Sequence, residues 1–126
     1  MSAIVIVDDD ATNIGLLKML LELDGYVVMA CKTIDEAKTA AAEGVDAFVI
    51  DCHLDKGSSG LTLLQDIRSG QTPADLNSIT IMVSGDHRLE KEAMAAGANY
   101  FFLKPYSPSE LTNRLQTLLS EKEHSG

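Results

Sequence analysis

Basic side chains are scarce in this chain of 126 residues. Lys and Arg together number 10, against 19 Asp and Glu, and the formal net charge is −9. Nucleic acids and anionic membrane surfaces are bound through clustered Lys and Arg, so this shortage argues against unaided binding to either. We therefore predict no direct nucleic-acid partner and no membrane partner.

Cysteine and long hydrophobic runs are also scarce. The two cysteines, Cys31 and Cys52, do not form a CxxC pair, and their spacing is not that of a disulfide framework. No apolar run approaches the ~20 residues that a membrane span needs, and the N-terminus lacks the basic and apolar pattern of a signal peptide. We expect reduced, buried cysteines and a cytoplasmic protein.

Short apolar runs do occur, and they alternate with segments of helical spacing. Each run has the length of a strand and is rich in β-branched or aromatic residues. The five runs cover residues 3–7, 26–30, 47–50, 79–83 and 100–103. Near-continuous apolar strands separated by helices indicate a parallel sheet that is covered on both faces. The pattern predicts a flavodoxin-like, doubly wound α/β fold with five parallel strands.

Turn and helix-capping residues along the chain agree with this division into strands and helices. The first four helical segments end near glycines, and Thr33 and Ser107 have the spacing of helix N-caps. The length suits one domain. We assign it to residues 1–121, and we interpret residues 122–126 as a polar tail or the start of a truncated linker.

Polar residues follow four of the predicted strands, where the strands end. They are Asp8, Asp9 and Asp10, then Asp51, then Ser84, and finally Lys104 followed by Pro105. The carboxyl ends of parallel strands meet in one crevice, so we expect these side chains to gather there. Carboxylates with one hydroxyl and one ammonium suit a hard divalent cation, Mg²⁺ or Mn²⁺, together with a phosphoryl group.

This pattern resembles the receiver domain of two-component response regulators, the CheY-like superfamily, over about residues 3–120. The family has an acidic pair after strand one, a phospho-accepting Asp after strand three, Ser or Thr after strand four and Lys-Pro after strand five. Here these positions are held by Asp8 and Asp9, by Asp51, by Ser84 and by Lys104.

The resemblance implies a role for each site residue. Asp51 accepts a phosphoryl group from the phosphohistidine of a sensor histidine kinase or phosphotransfer protein. Asp9 and Asp51 bind Mg²⁺, Asp8 does so through water, and the backbone carbonyl of His53 adds a ligand. Such a domain catalyses its own phosphorylation and dephosphorylation and acts on no other substrate.

The resemblance also implies a switch and an output surface. Ser84 turns toward the phosphoryl group and Phe101 swings inward, which alters the face formed by helix four, strand five and helix five. Many DNA-binding members carry two acidic residues before that aromatic, whereas this chain has Asn99 and Tyr100. We therefore expect a protein partner, or a differently built homodimer, to contact Tyr100.

Three further side chains lie near the site in sequence. Asp10 is expected to cap the first helix. His53 and Asp86 each lie two residues after a site residue, so we place both at the mouth of the site, as a pH-dependent pair that affects the lifetime of the acyl phosphate.

Two alternatives remain at this point. Asp8-x-Asp10-x-Thr12 matches the nucleophile motif of haloacid-dehalogenase-like phosphatases, although that reading leaves Asp51 without a role. A degenerate receiver that acts only as a binding module is the other. One departure from the family is an extra residue in the loop after Asp51, which reaches Gly60 nine positions on.

Overall fold

The computed structural model describes residues 2–54 and 57–124. Five strands form one sheet in the order β2-β1-β3-β4-β5, and all four pairings are parallel. The strands are β1 (Ala3–Val7), β2 (Val27–Cys31), β3 (Ala47–Asp51), β4 (Ile79–Ser84) and β5 (Tyr100–Leu103).

Five α-helices connect and follow these strands. They are α1 (Ala11–Leu23), α2 (Ile34–Ala41), α3 (Gly60–Arg68), α4 (Glu90–Ala95) and α5 (Pro108–His124). A 3-10 turn at His87–Leu89 precedes α4. Among the described helices, none combines the length and apolar character required to cross a bilayer.

Two apolar clusters hold the helices against the sheet, one on each face. The first joins buried residues of α2, α3 and α4 to the sheet, with Phe48 and Ile50 at its centre. The second joins α1 and α5 to the other face through residues such as Leu17 and Leu115. Helices therefore cover both faces, and the predicted doubly wound α/β fold is confirmed.

Local sequence signals set most element boundaries. Thr33 caps α2 by accepting a hydrogen bond from the N–H of Glu36 at 3.1 Å. The chain leaves each of the first four helices through a glycine with positive φ, at Gly25, Gly44, Gly70 and Gly97. Cys31 and Cys52 are buried free thiols, as expected.

Two predicted boundaries shift. β2 begins one residue later than expected because the N–H of Tyr26 bonds to the carbonyl of Leu21 and so belongs to the turn after α1. α5 extends to His124, into the segment that the sequence predicted to be a polar tail. Glu and Lys are good helix formers, so a polar sequence can continue a helix without burying a side chain.

Arg68 ties together the loops at the amino end of β4 and β5. Burial lowers the pKa of this guanidinium. Its hydrogen bonds, between 2.7 and 3.0 Å, go to Gly97 O, Leu76 O, Ser78 O, Thr80 Oγ1 and Asn99 Oδ1. The Asn99 oxygen also accepts the N–H of Thr80 at 2.8 Å, so this amide is used within the domain.

Candidate functional site

The three aspartates after β1 divide into two kinds. Asp8 is buried, and its Oδ1 accepts the N–H of Asp10 at 2.9 Å, which turns the chain sharply at the strand end. The carboxylate of Asp10 accepts the N–H groups of Thr12 and Asn13 at 3.0 and 3.4 Å. Asp10 is therefore the N-cap of α1, as predicted, and does not join the carboxylate cluster.

Asp51, at the end of β3, is buried opposite the ammonium of Lys104. The Nζ atom lies 2.6 Å from Oδ2 of Asp51 and 3.4 Å from Oδ2 of Asp8. The other oxygen of Asp51, Oδ1, accepts the N–H of His53 at 3.0 Å. The ends of β1, β3 and β5 thus bring two carboxylates and one cation into direct contact.

The carboxylates of Asp8, Asp9 and Asp51 offer oxygen atoms that all lie within 4.8 Å of one another. Burial raises the pKa of Asp8, against the lowering effects of the Asp10 N–H and of Lys104. Burial also lowers the pKa of Lys104, but the hydrogen bond and charge of Asp51 outweigh it, and the net shift is upward. Three carboxylates facing one ammonium leave excess negative charge, and hard oxygen donors of this kind suit Mg²⁺.

Ser84 and Phe101 are both buried. The hydroxyl of Ser84, at the end of β4, accepts the N–H of Asp86 at 3.0 Å. Phe101 lies in the apolar cluster on the face of α3 and α4. The ring that the sequence predicts to swing inward is therefore already inside the domain in this state.

Asp86 has a different partner from the one expected. Its carboxylate binds the guanidinium of Arg88 through two contacts of 2.9 Å, and it caps the 3-10 turn. Hydrogen bonds from Arg88 lower the pKa of Asp86 to about 2, which extends its charged range to more acidic pH. In this structure Asp86 pairs with Arg88, and its pairing with His53 stays a prediction.

The described residues of the loop after Asp51 hold the end of β3 beside the start of α3. An antiparallel bridge joins His53 to Ser59, and the N–H of Leu54 donates to Ser58 O at 2.9 Å. The N–H of Gly60 donates to Cys52 O at 2.9 Å, so α3 begins directly beside the end of β3. Asp55, which replaces the family's proline, lies outside the described residues.

Sequence reasoning missed Tyr106, two residues after Lys104. Its ring lines a cavity of about 280 Å³ beside the site, together with Asn13 and Leu16. Burial, followed by the charge of Asp8, raises the pKa of this phenol. The sequence feature that could have identified Tyr106 is its position two residues after the lysine that follows β5.

Asp9 and Asp10 make a matched pair of variants. Asp9→Ala should weaken Mg²⁺ binding strongly, because it removes one of the three clustered carboxylates. Asp10→Ala should leave Mg²⁺ affinity nearly unchanged and cost the ~1 kcal/mol of a lost helix cap. Metal titration and denaturant unfolding of both variants check this. A larger loss of Mg²⁺ affinity in the Asp10 variant would show that the metal ligands are misassigned by one residue.

Comparison with known proteins agrees with this arrangement. A family model described as the response regulator receiver domain matches residues 4–116. Among solved structures, a CheY-like response regulator receiver domain protein from Methanospirillum hungatei JF-1 is 29% identical with a TM-score of 0.86, covering 100% of this chain and 99% of that one. The Thermotoga maritima response regulator TrrA, in complex with Mg²⁺ and BeF, has the same fold at 24% identity, with a TM-score of 0.79 over 94% of this chain and 99% of that one.

Curated relatives are longer. The phosphate regulon transcriptional regulatory protein PhoB of Pseudomonas aeruginosa is 27% identical over 117 residues, which are 92% of this chain and 51% of that protein. The chain therefore spans about half the length of the curated relatives it matches.

Proposed function

Because the chain belongs to the response regulator receiver domains of two-component systems, we propose that Asp51 accepts a phosphoryl group from the phosphohistidine of a sensor histidine kinase or phosphotransfer protein. The observation that carries this proposal is the contact of Lys104 with Asp51 at 2.6 Å, beside the carboxylates of Asp8 and Asp9. We place the reaction in the cytoplasm, with Mg²⁺ as the cofactor and Mn²⁺ as a substitute.

In the transfer, the phosphorus–nitrogen bond of the donor breaks and a bond forms between phosphorus and a carboxylate oxygen of Asp51. The residues that would hold a cation are Asp8, Asp9, Asp51 and, through its carbonyl, His53, and the cation would supply the charge neutralisation that lets an anionic carboxylate approach an anionic donor. Lys104 contacts one carboxylate oxygen of Asp51, so its ammonium lies beside the incoming phosphoryl group. There it can bind a phosphoryl oxygen. Catalysis is then mainly positioning and charge stabilisation.

Ser84 and Phe101 form the proposed switch. A turn of the Ser84 side chain toward a phosphoryl oxygen exchanges its present contact with the N–H of Asp86 for a hydrogen bond that the hydroxyl donates to the phosphoryl group. That exchange moves the chain before α4, which connects the site to the face of α4, β5 and α5. In this structure the ring of Phe101 is buried, and the face has the packing described above.

The test of the proposal is uptake of one phosphoryl group from a small phosphodonor in the presence of Mg²⁺. A degenerate receiver would take up none. The phosphatase alternative requires Asp10 at the reacting centre, but its carboxylate is occupied at the N-terminus of α1. That geometry favours the receiver function.

Asp86→Ala should change the dephosphorylation rate without abolishing phosphorylation. The substitution removes a charge two residues from Ser84 and releases Arg88 from its two contacts of 2.9 Å. Decay of the phosphorylated protein, followed by intact mass, measures the effect, and His53→Ala tests the other side of the mouth. Decay rates equal to wild type in both variants would remove these residues from the control of lifetime.

Tyr100 is the proposed anchor of the output surface. The Arg114 guanidinium lies 4.4 Å from its ring centroid, and the Phe102 ring lies 4.9 Å away on the same side of β5. These residues line a groove of about 330 Å³ between β5 and α5. Asn99 carries no charge, and its amide oxygen accepts a hydrogen bond from Arg68, so this position cannot supply the acidic member of an ion pair.

Tyr100→Ala should reduce partner binding by phosphorylated protein roughly 30-fold, the effect of losing an aromatic interface anchor. Tyr100→Phe is the matched control, because it keeps the ring that stacks on Arg114. Capture of partners from cell extract by the phosphorylated forms provides the measurement. If wild type and the alanine variant captured the same proteins, the role of Tyr100 would be limited to covering the sheet edge.

A further inference from the structure

The outer edge of β2 is open. Val27 donates its N–H to Ser2 O, and the Cys31 carbonyl accepts the N–H of Asp8, so both residues direct their main-chain groups toward β1. Main-chain direction alternates along a strand, so Val28 and Ala30 direct theirs outward. In the described part of the chain, β2 pairs with β1 alone.

A groove of about 510 Å³ runs between this edge and α2. Its floor is apolar and includes Met29, Ala30 and Cys31. Its rim is acidic, with Asp35 and Glu36 on α2 and Glu43 just after the end of that helix. The groove therefore combines unpaired backbone groups, apolar surface and negative charge along one line.

Ion pairs within the described part of the chain do not neutralise the acidic side chains of the rim. Among the described residues, neither Asp35 nor Glu43 forms an ion pair, while Glu36 accepts the N–H of Lys32 at 2.9 Å. Lys38, the basic residue of α2, pairs with Asp66 at 2.8 Å. Among the residues that the structure describes, no basic side chain lines the groove.

The negative charge of the groove determines which kind of partner can bind there. A second copy of this chain carries the same net charge of −9 and would be repelled, as would nucleic acid or an anionic membrane. We propose that an extended, basic segment of a protein partner binds in this groove by adding a strand to β2. The proposal goes beyond phosphorylation, since the groove lies at the opposite edge of the sheet from β5.

The geometry defines the sequence that fits. An added strand pairs with the outward groups of Val28 and Ala30, and every second side chain of it faces α2. Apolar side chains cover Met29 and Cys31, and long basic side chains reach Asp35 and Glu43. Main-chain hydrogen bonds supply affinity, and the acidic rim supplies preference for Lys and Arg.

The probe is an eight-residue capped peptide in which serine alternates with, in turn, lysine and valine, so that both kinds of side chain can face α2. It is titrated into the full chain and followed by backbone amide chemical shifts. The largest shifts are expected in β2 and α2. Asp35→Asn with Glu43→Gln should weaken binding roughly three- to tenfold, the effect of losing two exposed charge pairs. Ala30→Pro should abolish binding while keeping the fold, because proline is tolerated at an edge where its missing N–H faces solvent.

The control is Glu90→Gln with Glu121→Gln, which removes the same charge from exposed positions elsewhere and should leave the affinity unchanged. Equal weakening by the two double variants would overturn the proposal, because the effect would then be one of net charge. Equal binding of the same peptide with glutamate in place of lysine would also overturn it. So would association of two copies of the chain that Ala30→Pro prevents, which would assign the edge to a homodimer.

Discussion

Asp51→Asn is expected to eliminate the phosphoryl adduct that the wild-type chain forms with a small phosphodonor and Mg²⁺. The amide cannot act as the carboxylate nucleophile, and it removes one of the three clustered carboxylates. Lys104 loses its partner at 2.6 Å but keeps Asp8 at 3.4 Å, so its charge stays compensated and the fold should persist. Intact-mass measurement gives the stoichiometry of the adduct.

Two controls complete that experiment. Asp10→Asn should be labelled as fully as the wild type, because asparagine preserves the helix cap and Asp10 lies outside the carboxylate cluster. A chelator should suppress labelling of the wild type, because the carboxylates then lack the cation that neutralises them. Equal labelling of the Asp51 variant would move the phosphorylation site elsewhere.

Gly60→Ala is expected to damage both stability and phosphorylation. A Cβ atom at this position would come within 3 Å of three atoms of Ile50 and Asp51, including the backbone carbonyl of Asp51. Forcing an atom into packed backbone costs about 1–3 kcal/mol or more in the free energy of unfolding. The displaced Asp51 should also react more slowly, roughly 100-fold for a shift of about 1 Å.

Gly15→Ala is the matched substitution. Its Cβ would meet nothing within 4 Å, and it lies inside α1, so it should leave phosphorylation unchanged and stabilise the helix by up to ~1 kcal/mol. Denaturant unfolding and labelling rates of the two variants test the comparison. A Gly60 variant with wild-type stability and labelling rate would show that α3 can move away from Asp51 without cost.

The sequence predicted the gathering of site residues because a parallel sheet places all strand ends at one edge. That rule holds for Asp51, Ser84 and Lys104, although 53 positions separate Asp51 from Lys104. It predicted Asp10 as a cap from the position of the residue before α1. Strand and helix order followed from periodicity alone.

Other features depend on the path of individual loops, and local sequence does not fix such paths. The pair of Asp86 and Arg88 forms where Asp86 caps the 3-10 turn and also accepts the N–H of Arg88. The close approach of Gly60 depends on how the loop after Asp51 closes. The polar end of α5 was predicted to be a tail because composition indicates exposure better than it indicates the end of a helix.

Few interactions hold α4 in place, and this lowers the free energy needed to open it. This helix has six residues, buries only Ala93 among them, and lacks a side-chain hydrogen bond at its N-cap, Leu89. Local opening free energies fall where few apolar contacts are buried, so α4 should open far more often than the central strands and exchange its amide hydrogens earlier. A coupling free energy of about 1–3 kcal/mol, typical between linked sites, is then enough to repopulate this segment while the sheet stays intact.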